Sequence, residues 1–498
     1  MLGTLIEKEW KSVLLSPKFA LTFAASTLLI LLSIGVGIRE YHAFTAQQES
    51  ARALLNEELQ EYTNWHMVQT RAFREADPLQ ILVSGVHNDV GRLAPIHRSS
   101  AASLEQSVYS DDPVLAIFRS LDLTFIVQAV LSLFAILFTY DAINGERESG
   151  TLRLVFSGAV PRARFVLAKF LGTWLGLALP LALPLLLGLL AIVLARVPLS
   201  TGDWQRLGLF LGASALYLTL FLALGIAVSA WTKKPSTSFL ILLTSWVVLV
   251  LVVPRAALLS AIQMKPVPTV AQVESRKAGF ERRAWENYRH DLEERWRERR
   301  APTVDMTEEE RDTFEDENLS NWMEEDDKAR KELEKEIADN GQRLTEELRN
   351  QKQEQERLAL QLSRFSPASA FRLAAMSLAG TDVHLKARYE EAARDYKEAF
   401  SQFITTNSEN NNRISMRRRR GGGNNQGGDQ DDEGGGQNVL SFGGNSEVNL
   451  DGMPEFVAPR RDVKTAASGT PIELGLLIAQ TLACLAFGFM GFMGYDVR

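Results

Sequence analysis

Long runs without charge alternate along this chain with stretches in which charges recur every few residues. A bilayer core of about 30 Å requires about 20 apolar residues in helical form. Six runs meet or approach that length: Phe19–Ile38, Leu121–Tyr140, Phe170–Ala195, Leu207–Trp231, Ser238–Val253 and Leu474–Tyr495. Asp122 is the one charge inside any of them. The fifth is short, with Pro235 before it and Pro254 after it. Buried helices of a soluble protein rarely run so far without a charge, so each run is predicted to span a membrane. Residues 1–18 precede the first. Leu2, Leu5, Ile6, Trp10, Val13 and Leu14 share one helical face there, with Glu7, Lys8 and Lys11 largely opposite. That pattern predicts an interfacial helix lying along the membrane. The predicted fold class is therefore all-α: a polytopic six-span membrane helix bundle with an N-terminal interfacial helix and largely helical extracytoplasmic insertions.

The overall composition conceals this division. The chain is 46% hydrophobic and 23% charged over 498 residues. Residues 123–258 hold 14 charges, whereas 261–364 hold 47. A single soluble globule does not distribute charge in that way. The lone Cys484 excludes an intramolecular disulfide and a multi-thiolate metal site. The net charge of −7 gives no reason to invoke nucleic acid.

Lys and Arg in the short loops set the orientation. Lys8, Lys11 and Lys18 precede the first span, Arg147 to Lys169 follow the second, Lys233 and Lys234 follow the fourth, and Arg498 follows the sixth. The loop between the third and fourth spans has only Arg196 and Arg206. Both termini are thus expected in the cytoplasm, with insertions at 39–120 and 254–473 on the outer side. The helical pattern of the first span is expected to continue through Arg39–Ala76. Residues 270–300 and 327–364 read as helices of a projecting hairpin. Its tip, 305–327, carries twelve acids and only Arg311 as a base. Ser366-Pro367 reads as a helix start and Gly380 as its stop. Residues 405–450 are polar, glycine-rich and carry Arg417 to Arg420, so disorder is expected there. The six histidines, His42, His66, His87, His97, His290 and His384, all lie outside the spans in spacings that match no ligand motif, and no metal site is expected.

The 141–169 loop carries the most specific signal. It contains Glu146-Arg147-Glu148, Gly150-Thr151-Leu152, a Ser157-Gly158 turn leading to Pro161-Arg162, and Lys169 opening the third span. This pattern resembles the permeases of type-2 ABC exporters, as do Glu7-Lys8-Glu9-Trp10, the Ser16-Pro17 entry and six spans with both ends inside. Large outer insertions, a Ser366–Asp382 stretch and a terminal Tyr495–Arg498 resemble one bacterial subgroup of that family. The resemblance implies a non-enzymatic permease subunit of the bacterial inner membrane, coupling ATP hydrolysis to movement of an unidentified substrate, with export the expected direction. It implies that Glu146, Arg147, Glu148, Gly150, Thr151, Leu152 and Arg162 dock a separate cytoplasmic ATPase. ATP and magnesium would belong to that partner, since the chain has no phosphate loop of its own and no cofactor is expected in it. A second permease copy or a related chain would complete the path. Pro180, Pro184 and Gln128 are candidates for a hinge or path lining within the spans. The rival expectation is a mechanical transmitter, moving an envelope partner through the outer hairpin with no solute crossing.

Overall fold

The computed structural model describes residues 2–62, 65, 67–96, 104–105, 122–157, 160–421, 450 and 452–493, with side chains omitted from 409 to 421. The chain divides into two compact units, 1–251 with 366–498, and 252–365.

The first unit holds most of the membrane bundle, and six helices of the chain are long and apolar enough to cross a membrane. The amphipathic helix Leu2–Leu14 ends two residues before Ser16, whose side chain caps the next helix at Phe19 N, with Pro17 in its first turn. That helix runs unbroken from Pro17 to Glu61, so the first span projects well beyond the bilayer. It stops short of the predicted Ala76, and Thr70–Phe73 instead pairs antiparallel with Leu93–Ile96. The second span begins at Leu123 and contains a π-helical stretch, Ile126–Leu131. The third is Arg162–Leu194 and continues through both Pro180 and Pro184. The fourth, Thr201–Trp231, starts earlier than its apolar run because Ser200 and Asp203 form a reciprocal capping box. The sixth is Pro471–Met493.

Close approach between these helices depends on residues without a Cβ. A Cβ on Gly172 would stand 2.4 Å from Glu9 Cβ and one on Gly176 2.8 Å from Val13, so the amphipathic helix lies directly on the third span. Gly225 similarly admits Thr139, seating the second span on the fourth.

The fifth apolar helix, Pro235–Met264, does not end at Pro254 as expected. A π-helical stretch, Val247–Val252, precedes the proline. In a π turn the donor for the Leu249 carbonyl would be residue 254, and proline has no N–H. Ser366 Oγ supplies the missing hydrogen bond at 2.6 Å. In the second span, Tyr217 Oη donates to the Gln128 carbonyl at 2.9 Å within the π-helical stretch.

The two insertions are not separate appendages. Residues 39–120 and the part of the second insertion from 366 onward share a core. Leu55, Leu59, Phe73 and Ile96 pack there with Leu385, Tyr389, Tyr396, Phe400 and Ile404. Together they form one cap on the bundle. Ser366 caps the helix Pro367–Ala379, and Gly380 ends it in the left-handed region at φ 75°, as the sequence predicts. The following helix, Leu385–Gly421, covers the start of the segment for which composition predicts disorder. Residues 422–449 lie outside the described residues.

The second unit contains a helical hairpin, Val270–Arg300 and Glu308–Ser363. Its acidic segment is not a tip between helices. It forms the beginning of the second helix, capped by Thr307 and Glu310. Arg299 reaches Asp326 at 3.0 Å and Glu325 at 2.8 Å, and its guanidinium lies over both Trp296 and Trp322.

Candidate functional site

The 141–169 loop folds as two short helices, Asn144–Glu148 and Thr151–Ser157, which pack together. Gly150 joins them at φ 74°, a conformation that glycine adopts without strain. Asn144 is fully buried, with its Nδ2 donating to Thr232 Oγ1 at 2.9 Å, and Ser229 Oγ accepts from the Ile143 N–H at 3.0 Å. The loop is thereby fixed to the end of the fourth span.

The expected docking residues divide into two sets. Glu146 faces inward. Its carboxylate accepts from Lys169 at 2.8 Å and from Lys8 at 3.0 Å, while Lys169 also donates to Glu9 at 2.8 Å. Lys169 is buried, with 6% of its side chain exposed. Two acids and two bases from three separate segments thus neutralise one another. Leu152 also faces inward, among Ile143, Phe165, Ile226, Ala230 and Phe492. Arg162 donates to the carbonyl of Met493 at 2.8 Å, tying the third span to the sixth. Glu148, Gly150 and Thr151 are exposed, and Arg147 is half-buried. Thr151 Oγ1 donates to the Glu146 carbonyl at 3.2 Å. Leu154 is 73% exposed beside a buried Leu152. It stands two residues beyond Leu152, on the opposite side of the helix.

The span candidates do not converge. Neither Pro180 nor Pro184 lines the apolar cavity of about 200 Å³ between the first four spans, which neighbouring Leu177, Leu181 and Leu185 do line. Gln128 contributes its backbone carbonyl to Tyr217 and Ser132. Among the described histidines, His290 lies near Asp291 and Glu294 in an exposed group, while His87 is buried beside Arg74. His66 and His97 lie outside the described residues.

Opposite the loop helices, a second ion cluster joins the fourth span to the cap. Arg206 binds Asp77 at 3.0 Å and 3.2 Å and also pairs with Asp203. Sequence reasoning treated Arg206 as a loop cation, although it is buried.

Comparison with known proteins agrees with this architecture. The family model described as ABC-2 family transporter protein matches residues 4–497. A probable ABC transporter permease protein, NosY, of Pseudomonas aeruginosa is 37% identical over 121 residues. That match covers 23% of this chain and 42% of the relative's length. With six apolar helices, a loop anchored across the bundle and a family match along nearly its whole length, the chain belongs to the ABC-2 family of membrane transporter proteins.

Proposed function

We propose that this permease couples ATP hydrolysis by a separate cytoplasmic ATPase to export of a substrate across the bacterial inner membrane. The observation that carries the reading is the anchored, outward-facing pair of loop helices. Their inner face is locked by Asn144, Glu146 and Leu152, and their outer face presents Glu148, Gly150, Thr151 and Leu154. A push on that face would reach the amphipathic helix through Lys8 and Glu9 and the third span through Lys169. Charges at its rim would set the register with the partner. Positive loop charge on this side supports cytoplasmic termini. A second permease chain, identical or related, would complete the path along the exposed apolar faces of the spans.

The test is co-expression with an ABC-type ATPase chain encoded beside this one, followed by co-purification and ATPase assay. Leu154→Glu and Glu148→Arg are expected to reduce recovery of the ATPase at least tenfold, with membrane insertion unchanged. Glu146→Arg acts differently, by breaking the inner cluster, and is expected to lower thermal stability as well. Undiminished association and hydrolysis in both outer-face variants would sink the coupling assignment.

A further inference from the structure

A cavity of about 600 Å³ lies at the end of the bundle away from the loop helices. Its walls come from four places: the extension of the first span (Tyr41, Thr45, Gln48), the start of the fourth span (Asp203, Arg206), the first insertion from Arg74 to Asp77, and the second insertion around Arg388 and Arg461. Six arginines line it, namely Arg52, Arg74, Arg206, Arg388, Arg460 and Arg461. The lining acids are Glu49, Glu75, Asp77 and Asp203.

These charges do not balance. Asp77 and Asp203 are both engaged by Arg206. Glu75 is shared between Arg460 at 3.2 Å and Arg52 at 3.6 Å. Asp382, just behind the wall, serves both Arg388 and Arg461. Counting Asp382, six cations meet five carboxylates among the described residues. Arg74 has the weakest compensation. It is 1% exposed, and among the described residues it reaches no carboxylate. Its partners are the carbonyls of Gly91, His87 and Val90, the His87 ring nitrogen and the face of Phe44. Burial pushes its pKa down to about 10, still protonated at neutral pH. His87 cannot neutralise it, since burial and then Arg74 and Arg92 hold the imidazole well below its ordinary pKa. A buried charge without an opposite charge is costly, and a bound anion removes that cost.

We propose that this cavity binds a small organic anion bearing carboxylate or phosphate groups, held by the rim arginines Arg52, Arg388 and Arg460 above the buried Arg74. Neutral hydrogen-bonding groups at Tyr41, Thr45 and Gln48 suit the polar remainder of such a ligand. Because the walls belong to two spans and both insertions, an occupant would hold the cap to the bundle. Only the side from which the ligand arrives rests on the proposed orientation of the termini. The chemistry of the site requires no ATPase.

The experiment is equilibrium dialysis of the purified full chain in phosphatidylcholine nanodiscs, using radiolabelled citrate and, separately, inorganic phosphate at fixed ionic strength. Saturable binding of at least one anion at one site per chain is expected. Arg460→Gln, at a side chain 88% exposed, and Arg52→Gln are each expected to weaken it tenfold or more, with the unliganded melting temperature lowered by no more than the loss of a surface ion pair to Glu75. Arg74→Met is expected to abolish it, and the two rim variants decide the matter if that protein fails to fold. Competition by phosphatidylglycerol in the nanodisc would identify a lipid headgroup as the source, and no competition a soluble anion; either outcome supports the site. Absence of saturable binding by both probes, or binding unchanged in both rim variants, overturns it.

Discussion

The two ends of the bundle solve the same problem with different charge arithmetic. At the loop end, Lys8 and Lys169 meet Glu9 and Glu146, so the cluster is neutral and buried around Lys169. At the cap end, Arg206 joins Asp77 and Asp203, but the surrounding wall carries more arginine than carboxylate and opens onto a cavity. Both clusters fasten a non-spanning segment to a span. The neutral one needs nothing further and serves as a mechanical joint. The other retains a positive charge that no described carboxylate meets, which is the signature of a place for a ligand.

Breaking each joint at its cation is the strongest way to test that contrast. Lys169→Met removes the buried cation and leaves Glu9 and Glu146 to the half-exposed Lys8 alone, and truncating one side of a buried pair costs about 3–5 kcal/mol. Arg206→Met strands Asp77 and Asp203 at the other end at a comparable cost. Thermal unfolding in detergent should reveal both losses. Limited proteolysis should separate them, with early release of Leu2–Leu14 in the first variant and early cleavage in the cap in the second. Identical digestion patterns would show that the two ends are not independent joints.

The next largest effect concerns packing near the loop end. Gly225→Val places a methyl-bearing carbon in space that the Thr139 side chain already fills. Overpacking of this kind costs about 1–3 kcal/mol. A melting temperature equal to that of the parent protein would contradict the close seating of the second span on the fourth.

The smallest effect sharpens the comparison through pH. His87 is held neutral by burial and by Arg74 and Arg92, with its native pKa below the ordinary value of about 6.5. The unfolded chain therefore binds a proton that the native cap does not, and stability falls as pH drops below about 6.5. His87→Gln is expected to flatten that slope between pH 6.5 and 5. The loop-end cluster contains no histidine, so release of Leu2–Leu14 by protease should not acquire this dependence.

Much of this organisation was legible in the chain. Six apolar runs of membrane length set the spans, and Ser16-Pro17, Ser366-Pro367 and Gly380 punctuate helices where local chemistry requires. The errors had physical causes. Pro254 looked like an end because proline removes a backbone donor, but Ser366, distant in sequence, satisfies the carbonyl left over. Arg206 looked like loop charge because its partner Asp77 lies in another insertion. Glu146 was expected at the docking surface, and only the fold shows that Lys8 and Lys169, from different segments, pair with its carboxylate.

By itself the sequence determined the class of the protein: which stretches enter lipid, which carry charge, and which loop bears the family's pattern. Those properties follow from length, hydropathy and local capping, and need no long-range contact. Only the tertiary structure decided which charges are neutralised. Coulombic pairing depends on distance in space, and the residues that pair here are separated along the chain by spans and insertions. The joining of two insertions into one cap, the burial of Glu146 and Lys169, and the burial of Arg74 away from every described carboxylate all belong to that second class.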